Sequence, residues 1–363
     1  LPEESVQGPE PLLLDPFEPL LRSSEGRRRL APDFILQLGA MPTSKGLGLL
    51  FAEASCPRIA ITPWGWPDPS GAASELLYAD LEEAVDAIEA ILDAGGEEGW
   101  GAEADGAPSA ARSAPRSAPP SAARDAANAA HAEAHSEALR LGAALHLEQD
   151  RLLETEPGLS EAACVRELLA ALPEGSLLTV ANSLSVRQLD AWVPSRPAGL
   201  RVASQRGASG IDGSIAGALG AASAHRGPSA LLLGDIAFLH DLGSLLLARD
   251  HAPRRWPFVI LAVNNDGGRI FEQLPIAGRR DLEAQLSRFI TPHGLELAPL
   301  ARGLGLPHRQ VGDRASLREA LEGALDSSGC TVIEARVPPG VAASLERRCA
   351  AFVESLLAQT GAR

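Results

Sequence analysis

Basic side chains are scarce in this sequence. Among its 363 residues, 32 are Lys or Arg and 47 are Asp or Glu, which gives a formal charge of -15 at pH 7. Binding to nucleic acids is driven by clustered basic side chains, so the deficit argues against a nucleic-acid partner. Small anionic substrates need only a few local Arg or Lys side chains and stay compatible with the composition.

Long apolar segments and paired cysteines are missing as well. Apolar runs such as 231–233 and 259–263 are far shorter than the roughly 20 residues that cross a bilayer, so we predict no membrane span. The cysteines show no CxxC spacing: Cys56, Cys164, Cys330 and Cys349. Such scattered residues fit small core positions in a reducing cytoplasm better than a disulfide framework or a zinc site.

The first part of the chain has the pattern of a small α/β unit. Residues 33–39 predict a buried strand, and residues 58–63 predict a second. Apolar residues at helical spacing over 80–92 predict a helix that Asp80 caps. We therefore predict part of a smaller α/β middle domain over residues 1–94.

Composition changes over residues 95–125, where Ala, Gly, Ser, Pro and Arg dominate. Large apolar side chains are almost absent there, so burial cannot offset the entropy lost on ordering. We predict a disordered insertion over this range, followed by a helix over 126–154.

From residue 159 onward, strand and helix patterns alternate regularly. The predicted strands are 176–181, 229–233, 257–263, 308–311 and 330–337, and the predicted helices are 160–172, 211–225, 241–250, 294–304 and 315–326. Continuous apolar strands between helices indicate a parallel sheet covered on both faces. We predict one such domain over 126–363, with its ligand at the carboxyl ends of the strands.

Two strand ends carry the main chemical signal. Gly234-Asp235 follows one predicted strand, and Asn264-Asn265 follows the next, 30 residues after Asp235. A carboxylate, an amide oxygen and a backbone carbonyl from the Gly267-Gly268 turn suit a hard cation such as Mg²⁺, with two phosphate oxygens and a water completing its shell. The predicted helix from 241 would direct its N-terminus at the same diphosphate.

This Gly-Asp and Asn-Asn spacing resembles the signature of the thiamine-diphosphate enzymes. The resemblance implies a parallel-sheet thiamine-diphosphate-binding fold in which Asp235, Asn265 and the backbone of Gly267 hold Mg²⁺ or Mn²⁺. It also implies that Gly234 lies beside the cofactor. Ile236 stands where many members carry Gly or another small residue.

Three further motifs narrow the resemblance: Asn-Ser-Leu-Ser-Val-Arg at 182–187, Arg-Gly-Ala-Ser-Gly-Ile-Asp at 206–212, and Asn-Asp-Gly-Gly-Arg-Ile-Phe at 265–271 with Leu-Pro at 274–275. Together they closely resemble the 2-succinyl-5-enolpyruvyl-6-hydroxy-3-cyclohexene-1-carboxylate synthases of menaquinone biosynthesis. The resemblance runs from about residue 10 to the C-terminus, except for the insertion. It implies a transferase that adds decarboxylated 2-oxoglutarate to isochorismate.

The same resemblance implies a role for each matching residue. Ile211 would hold the cofactor rings in their bent shape. The residues expected to bind the substrates are Lys45, Ser183, Arg187, Arg206, Ile270, Phe271 and Leu274. Both substrates carry two carboxylates, and Arg is the natural bidentate partner of a carboxylate. Gly46 stands where some members carry an additional Arg next to the Lys.

One part of the family's machinery has no counterpart in these residues. In the family, a preceding domain carries the Glu that activates the cofactor, and residues 10–17 match a segment well inside the middle domain. We therefore expect an N-terminally truncated chain that is inactive alone, from a protein that forms a homodimer or tetramer at full length. The open alternatives are an acetolactate-synthase-like enzyme and a non-catalytic, cofactor-binding fragment.

Overall fold

A computed structural model describes residues 17–93, 121–193, 199–207 and 209–360. Most of the predicted insertion therefore lies outside the described residues. The chain divides into two compact units, with the change from one to the other between Arg140 and Leu141. This point lies within a long helix, α5 (Ser121–Thr155), which confirms the helix predicted over 126–154. Within the described ranges, no helix combines the length and the hydropathy that a membrane crossing needs.

The first unit is built on a three-stranded parallel sheet, in the order β1 (Ile35–Leu38), β2 (Arg58–Thr62) and β3 (Glu75–Tyr78). The helices of this part of the chain are α1 (Glu18–Arg22), whose residues fall in both units, α2 (Ser24–Arg29), α3 (Lys45–Glu53) and α4 (Leu81–Asp93). The expectation of a fully buried first strand is wrong, because Leu36 and Leu38 are 41% and 44% exposed.

The first unit contains a buried charged residue, Arg58, with several partners. The Arg58 guanidinium is enclosed, with Nη1 3.2 Å from Asp68 Oδ1 and Nη2 donating to Gln37 Oε1 at 2.5 Å. It also lies over the Phe51 ring, 4.4 Å from the ring centre. A buried guanidinium needs such partners because burying an uncompensated charge is costly.

The second unit is built on a six-stranded parallel sheet, in the order β5-β4-β6-β7-β9-β8. Its strands are β4 (Leu177–Val180), β5 (Arg201–Ala203), β6 (Ser229–Gly234), β7 (Pro257–Asn264), β8 (His308–Val311) and β9 (Gly329–Arg336). The helices that follow α5 are α6 (Glu161–Ala171), α7 (Leu184–Trp192), α8 (Ser214–Ala224), α9 (Asp235–His240), α10 (Ser244–His251), α11 (Glu283–Ile290), α12 (Leu297–Gly303), α13 (Arg314–Leu325) and α14 (Val341–Thr360).

Both faces of this sheet are covered, as the continuous apolar strands predicted. Along β7, Val259 and Leu261 pack into a core with α6 and α13, whereas Phe258 and Ile260 pack into a second core with α8 and α12. Successive strand residues point to opposite faces, so a strand buried on both sides must be apolar throughout. The predicted fold class is confirmed.

The strand order creates a crevice at one edge of this sheet. β4 lies between β5 and β6. The chain connects β4 first to β5 on one side and then crosses to β6 on the other side of β4. Parallel sheets bind ligands at the carboxyl ends of the strands beside such a switch point.

The helix predicted over 241–250 is found as α10, which begins three residues later, at Ser244, and the sequence analysis missed α9, which begins at Asp235 directly after β6. Asp241 instead accepts the Ile215 and Ala216 N–H groups at 2.6 and 3.0 Å, which caps α8.

Candidate functional site

A cavity of about 400 Å³ opens at the carboxyl ends of β4, β6 and β7. Ten of the twelve site residues predicted from the sequence line it: Ser183, Arg187, Arg206, Ile211, Gly234, Asp235, Asn265, Gly267, Ile270 and Phe271. Leu274 is not among the lining residues and is 47% exposed. Lys45 belongs to the first unit, where it begins α3, so its part in substrate binding stays a prediction.

Asp235 is the buried carboxylate of the cavity, with 2% of its surface exposed. Its Oδ2 accepts the Gly267 N–H at 2.8 Å and lies 3.0 Å from His293 Nε2. The Leu295 N–H donates to His293 Nδ1 at 3.0 Å, so the ring proton must be on Nε2, from which it is donated to Asp235. The sequence analysis missed His293, which lies 58 residues from Asp235 along the chain.

Asn265 is oriented by a second residue that the sequence analysis missed. Its amide nitrogen donates to Glu161 Oε1 at 2.8 Å, and both side chains are buried. A carboxylate accepts hydrogen bonds, so the NH₂ of Asn265 faces Glu161 and the amide oxygen is turned away from it. Burial raises the pKa of Glu161 to about 7, although the hydrogen bond from Asn265 acts in the opposite direction.

The turn after Asn265 is held in one conformation. Gly267 has a φ of 122°, and a Cβ at this position would lie 2.4 Å from the carbonyl oxygen of Ile290. The same oxygen accepts the Gly268 N–H at 2.7 Å. From the other side, Arg269 donates to the carbonyl oxygens of Asn265 and the following residue, both at 3.0 Å. The turn therefore needs glycine and reaches the cavity with a fixed backbone.

Backbone strain is concentrated at the same place. In the described part of the chain, the non-glycine residues with positive φ are Ser183, Ser209, Asp266 and Thr291, at 68°, 53°, 62° and 48°. All of them line the cavity except Asp266, which lies between two residues that do. Residues in such conformations are costly and cluster at functional sites.

Besides Arg269, which is paired with Glu272, two guanidinium groups line the cavity. Arg206 donates to the amide oxygen of Asn182, a buried residue at the end of β4. The amide nitrogen of Asn182 in turn donates to the carbonyl oxygens of Gln205 and Gly210, at 2.9 and 2.6 Å. Asn182 thus fixes the loop that carries Arg206, a role that the motif alone did not reveal.

The second guanidinium belongs to Arg187 on α7, and its Nη1 donates to the carbonyl oxygen of Ser183 at 2.6 Å. Across the cavity, Ile270 and Phe271 form an apolar wall, which Phe289 extends with its ring centre 5.6 Å from that of Phe271. A few polar groups on an otherwise apolar surface are typical of small-molecule sites.

These residues fit a divalent cation that carries a diphosphate. Asp235, the amide oxygen of Asn265 and the backbone at Gly267 are oxygen ligands of the kind that Mg²⁺ prefers. Nothing lies within 4 Å of the position that a Cβ on Gly234 would take, which leaves room beside Asp235.

Comparison with known proteins shows which enzymes the chain resembles. The family model "Thiamine pyrophosphate enzyme, C-terminal TPP binding domain" matches residues 188–335. The chain is 39% identical over 326 residues to the 2-succinyl-5-enolpyruvyl-6-hydroxy-3-cyclohexene-1-carboxylate synthase of Sorangium cellulosum, which covers 89% of this chain and 48% of that protein. The synthase of Chloroflexus aurantiacus is 33% identical over 353 residues, which covers 96% of this chain and 53% of that protein. The chain spans about half the length of the curated relatives it matches.

Among solved structures, a thiamin diphosphate-dependent enzyme isolated from Mycobacterium smegmatis matches with a TM-score of 0.50 at 15% identity. The match covers 85% of this chain and 49% of that one, and it shows the likeness of fold. Residues 188–335 are therefore similar to the C-terminal cofactor-binding domain of the thiamine-diphosphate-dependent enzymes. Within that class, the chain is a relative of the 2-succinyl-5-enolpyruvyl-6-hydroxy-3-cyclohexene-1-carboxylate synthases.

Proposed function

We propose that the protein catalyses the thiamine-diphosphate- and Mg²⁺-dependent addition of decarboxylated 2-oxoglutarate to isochorismate, a step of menaquinone biosynthesis. The observation that carries the proposal is one cavity in which Asp235 and Asn265 lie with Arg187 and Arg206. The similarity to the synthases supports the same reaction.

Asp235, Asn265 and the backbone carbonyl of Gly267 would hold Mg²⁺, and through it the diphosphate. Gly234 would leave space for the phosphate groups, and Ile211 would support the cofactor rings. The chemistry that thiamine diphosphate supplies when bound is stabilisation of the electron pair left by decarboxylation of a 2-oxo acid. The pre-formed turn at Gly267 would keep the ligands in place without reorganisation.

The two Arg side chains would bind the substrate carboxylates. A guanidinium pairs with a carboxylate through two parallel hydrogen bonds, which fixes the orientation as well as the charge. Ile270 and Phe271 would cover the apolar part of the substrate and exclude water from the reacting carbon. Lys45 remains part of the proposal as a further substrate-binding residue from the first unit.

The test is turnover by the protein, followed as loss of isochorismate with 2-oxoglutarate or pyruvate as the donor. We expect loss of isochorismate with 2-oxoglutarate and none with pyruvate. A charge-assisted hydrogen bond contributes about 1.5–3 kcal/mol, so R206M should raise KM for 2-oxoglutarate about 10- to 100-fold. R249M removes an exposed Arg on α10 that pairs with Asp250, and it should change nothing. Turnover of pyruvate without use of isochorismate would favour an acetolactate-synthase-like enzyme instead.

A further inference from the structure

Glu161 is a buried carboxylate whose described hydrogen bond comes from an amide rather than from a cation. It is the first residue of α6 and only 3% exposed. Glu167, on the same helix, is buried as well, but it accepts from the guanidinium groups of Arg314 and Arg318. Burying a carboxylate without a cationic partner is costly. An acidic residue in the first turn of a helix interacts favourably with the helix N-terminus, but it can do so from an exposed position without the cost of burial, so the inward position of Glu161 calls for another reason.

The reason is the orientation of the Asn265 amide group. The oxygen and nitrogen ends of the amide have almost the same shape, so the cavity by itself does not determine which end of Asn265 faces it. Glu161 removes this freedom while its carboxyl group is ionised, because Oε1 lies 2.8 Å from Nδ2 and a carboxylate can only accept. The amide oxygen is then directed away from α6.

A second, small chamber supports the same arrangement. It has a volume of about 30 Å³ and shares Asn265 and Ser185 with the main cavity. Glu161 and Gln188 both line it, and each has a buried side-chain oxygen without a hydrogen-bond partner, Oε2 and Oε1 respectively. These two oxygens are the unpaired polar groups of an otherwise largely apolar chamber.

We infer that Glu161 is a positioning residue that turns the amide oxygen of Asn265 toward the metal. The inference rests on the proposed metal site. Mn²⁺ binding by the parent chain tests that site, and the variants test the role of Glu161. Partners that orient a metal ligand typically contribute 10- to 100-fold to metal affinity.

The first experiment measures binding of Mn²⁺ to the 363-residue chain in the presence of thiamine diphosphate, by the loss of the free-ion electron paramagnetic resonance signal. E161L removes the acceptor and should weaken Mn²⁺ binding 10- to 100-fold. E161Q offers Asn265 either an oxygen or an NH₂ group, so it should weaken Mn²⁺ binding less than E161L does. E167L is the matched control: it should lower the melting temperature but leave Mn²⁺ affinity unchanged.

A second pair of variants keeps polar groups at both positions and does not depend on the folding of E161L. N265D offers the metal a better ligand but places a carboxylate against Glu161, so it should bind Mn²⁺ more weakly than the parent. Adding E161Q to N265D restores a donor between the two side chains and should recover affinity at least tenfold.

The outcomes separate the inference from the function on which it rests. If E161L binds Mn²⁺ as the parent does, or if E161Q does not rescue N265D, Glu161 has no positioning role. If the parent itself shows no cofactor-dependent Mn²⁺ binding, the proposed metal site is wrong, and the inference fails with it.

Discussion

Replacing Gly267 by alanine tests whether the turn at the cavity is as rigid as its geometry implies. The added Cβ would lie 2.4 Å from the carbonyl oxygen of Ile290 and 3.1 Å from its Cγ2, at a φ of 122°. A conformation of this kind costs about 1–3 kcal/mol for a residue with a Cβ. Moving Ile290 away would also break the hydrogen bond from Gly268, which is worth about 0.5–1.5 kcal/mol. We expect a total loss of about 2–4 kcal/mol in the second unit.

Gly175→Ala is the matched control. Gly175 also has a positive φ, 75°, but nothing lies within 4 Å of the position its Cβ would take. This φ is close to the left-handed helical region, where an added side chain costs about 1–2 kcal/mol.

The assay is native-state hydrogen exchange of the amides in β7, which reports the opening free energy of the second unit alone. If G267A and G175A gave the same opening free energy, the close approach of Ile290 would carry no energetic weight and the reasoning would be refuted.

Three further predictions concern other parts of the chain. Asp68→Ala leaves the buried Arg58 without its carboxylate and should destabilise the first unit by about 3–5 kcal/mol, measured by hydrogen exchange in β2; unchanged exchange would contradict this. His293→Leu removes the proton donated to Asp235 and should weaken cofactor-dependent Mg²⁺ binding about 10-fold or more by calorimetry, while H293Q, which can still donate, should lose less. In the native chain, a thiol reagent at pH 8 should modify Cys56 and spare the buried Cys164, Cys330 and Cys349. Burial raises the pKa of Cys330 to about 12, so its reactive thiolate is scarce at this pH. Rapid labelling of all four cysteines would contradict the described burial.

The sheet of the second unit could be predicted because its strands are encoded locally. β6 and β7 are buried on both faces and therefore form continuous apolar runs. β5 was missed because it is three residues long and two of them, Arg201 and Val202, are exposed at the edge of the sheet. Pattern reasoning has no signal for a strand that is defined by its pairing with β4 rather than by its own burial.

The candidate site likewise contains residues that the sequence predicts and residues that it does not. Asp235 and Asn265 were predicted because each directly follows a strand, and neighbouring parallel strands end at the same edge. Glu161 and His293 were missed because they reach those ligands across 104 and 58 residues of sequence. At the level of the sequence, each is an ordinary polar residue at a helix start or in a loop, and only the fold brings it to its partner.

The central claim is that Asp235 holds the metal through which the cofactor binds. Calorimetric titration of the 363-residue chain with thiamine diphosphate, with Mg²⁺ and then with chelator, tests it most directly. We predict that the parent chain binds thiamine diphosphate only with Mg²⁺. D235A should lose about 100-fold or more in cofactor affinity, because residues that merely orient a metal ligand already contribute 10- to 100-fold. D250A, which removes an exposed carboxylate on α10, should bind as the parent does. Binding by D235A within threefold of the parent, or binding by the parent that chelator does not affect, would contradict the account.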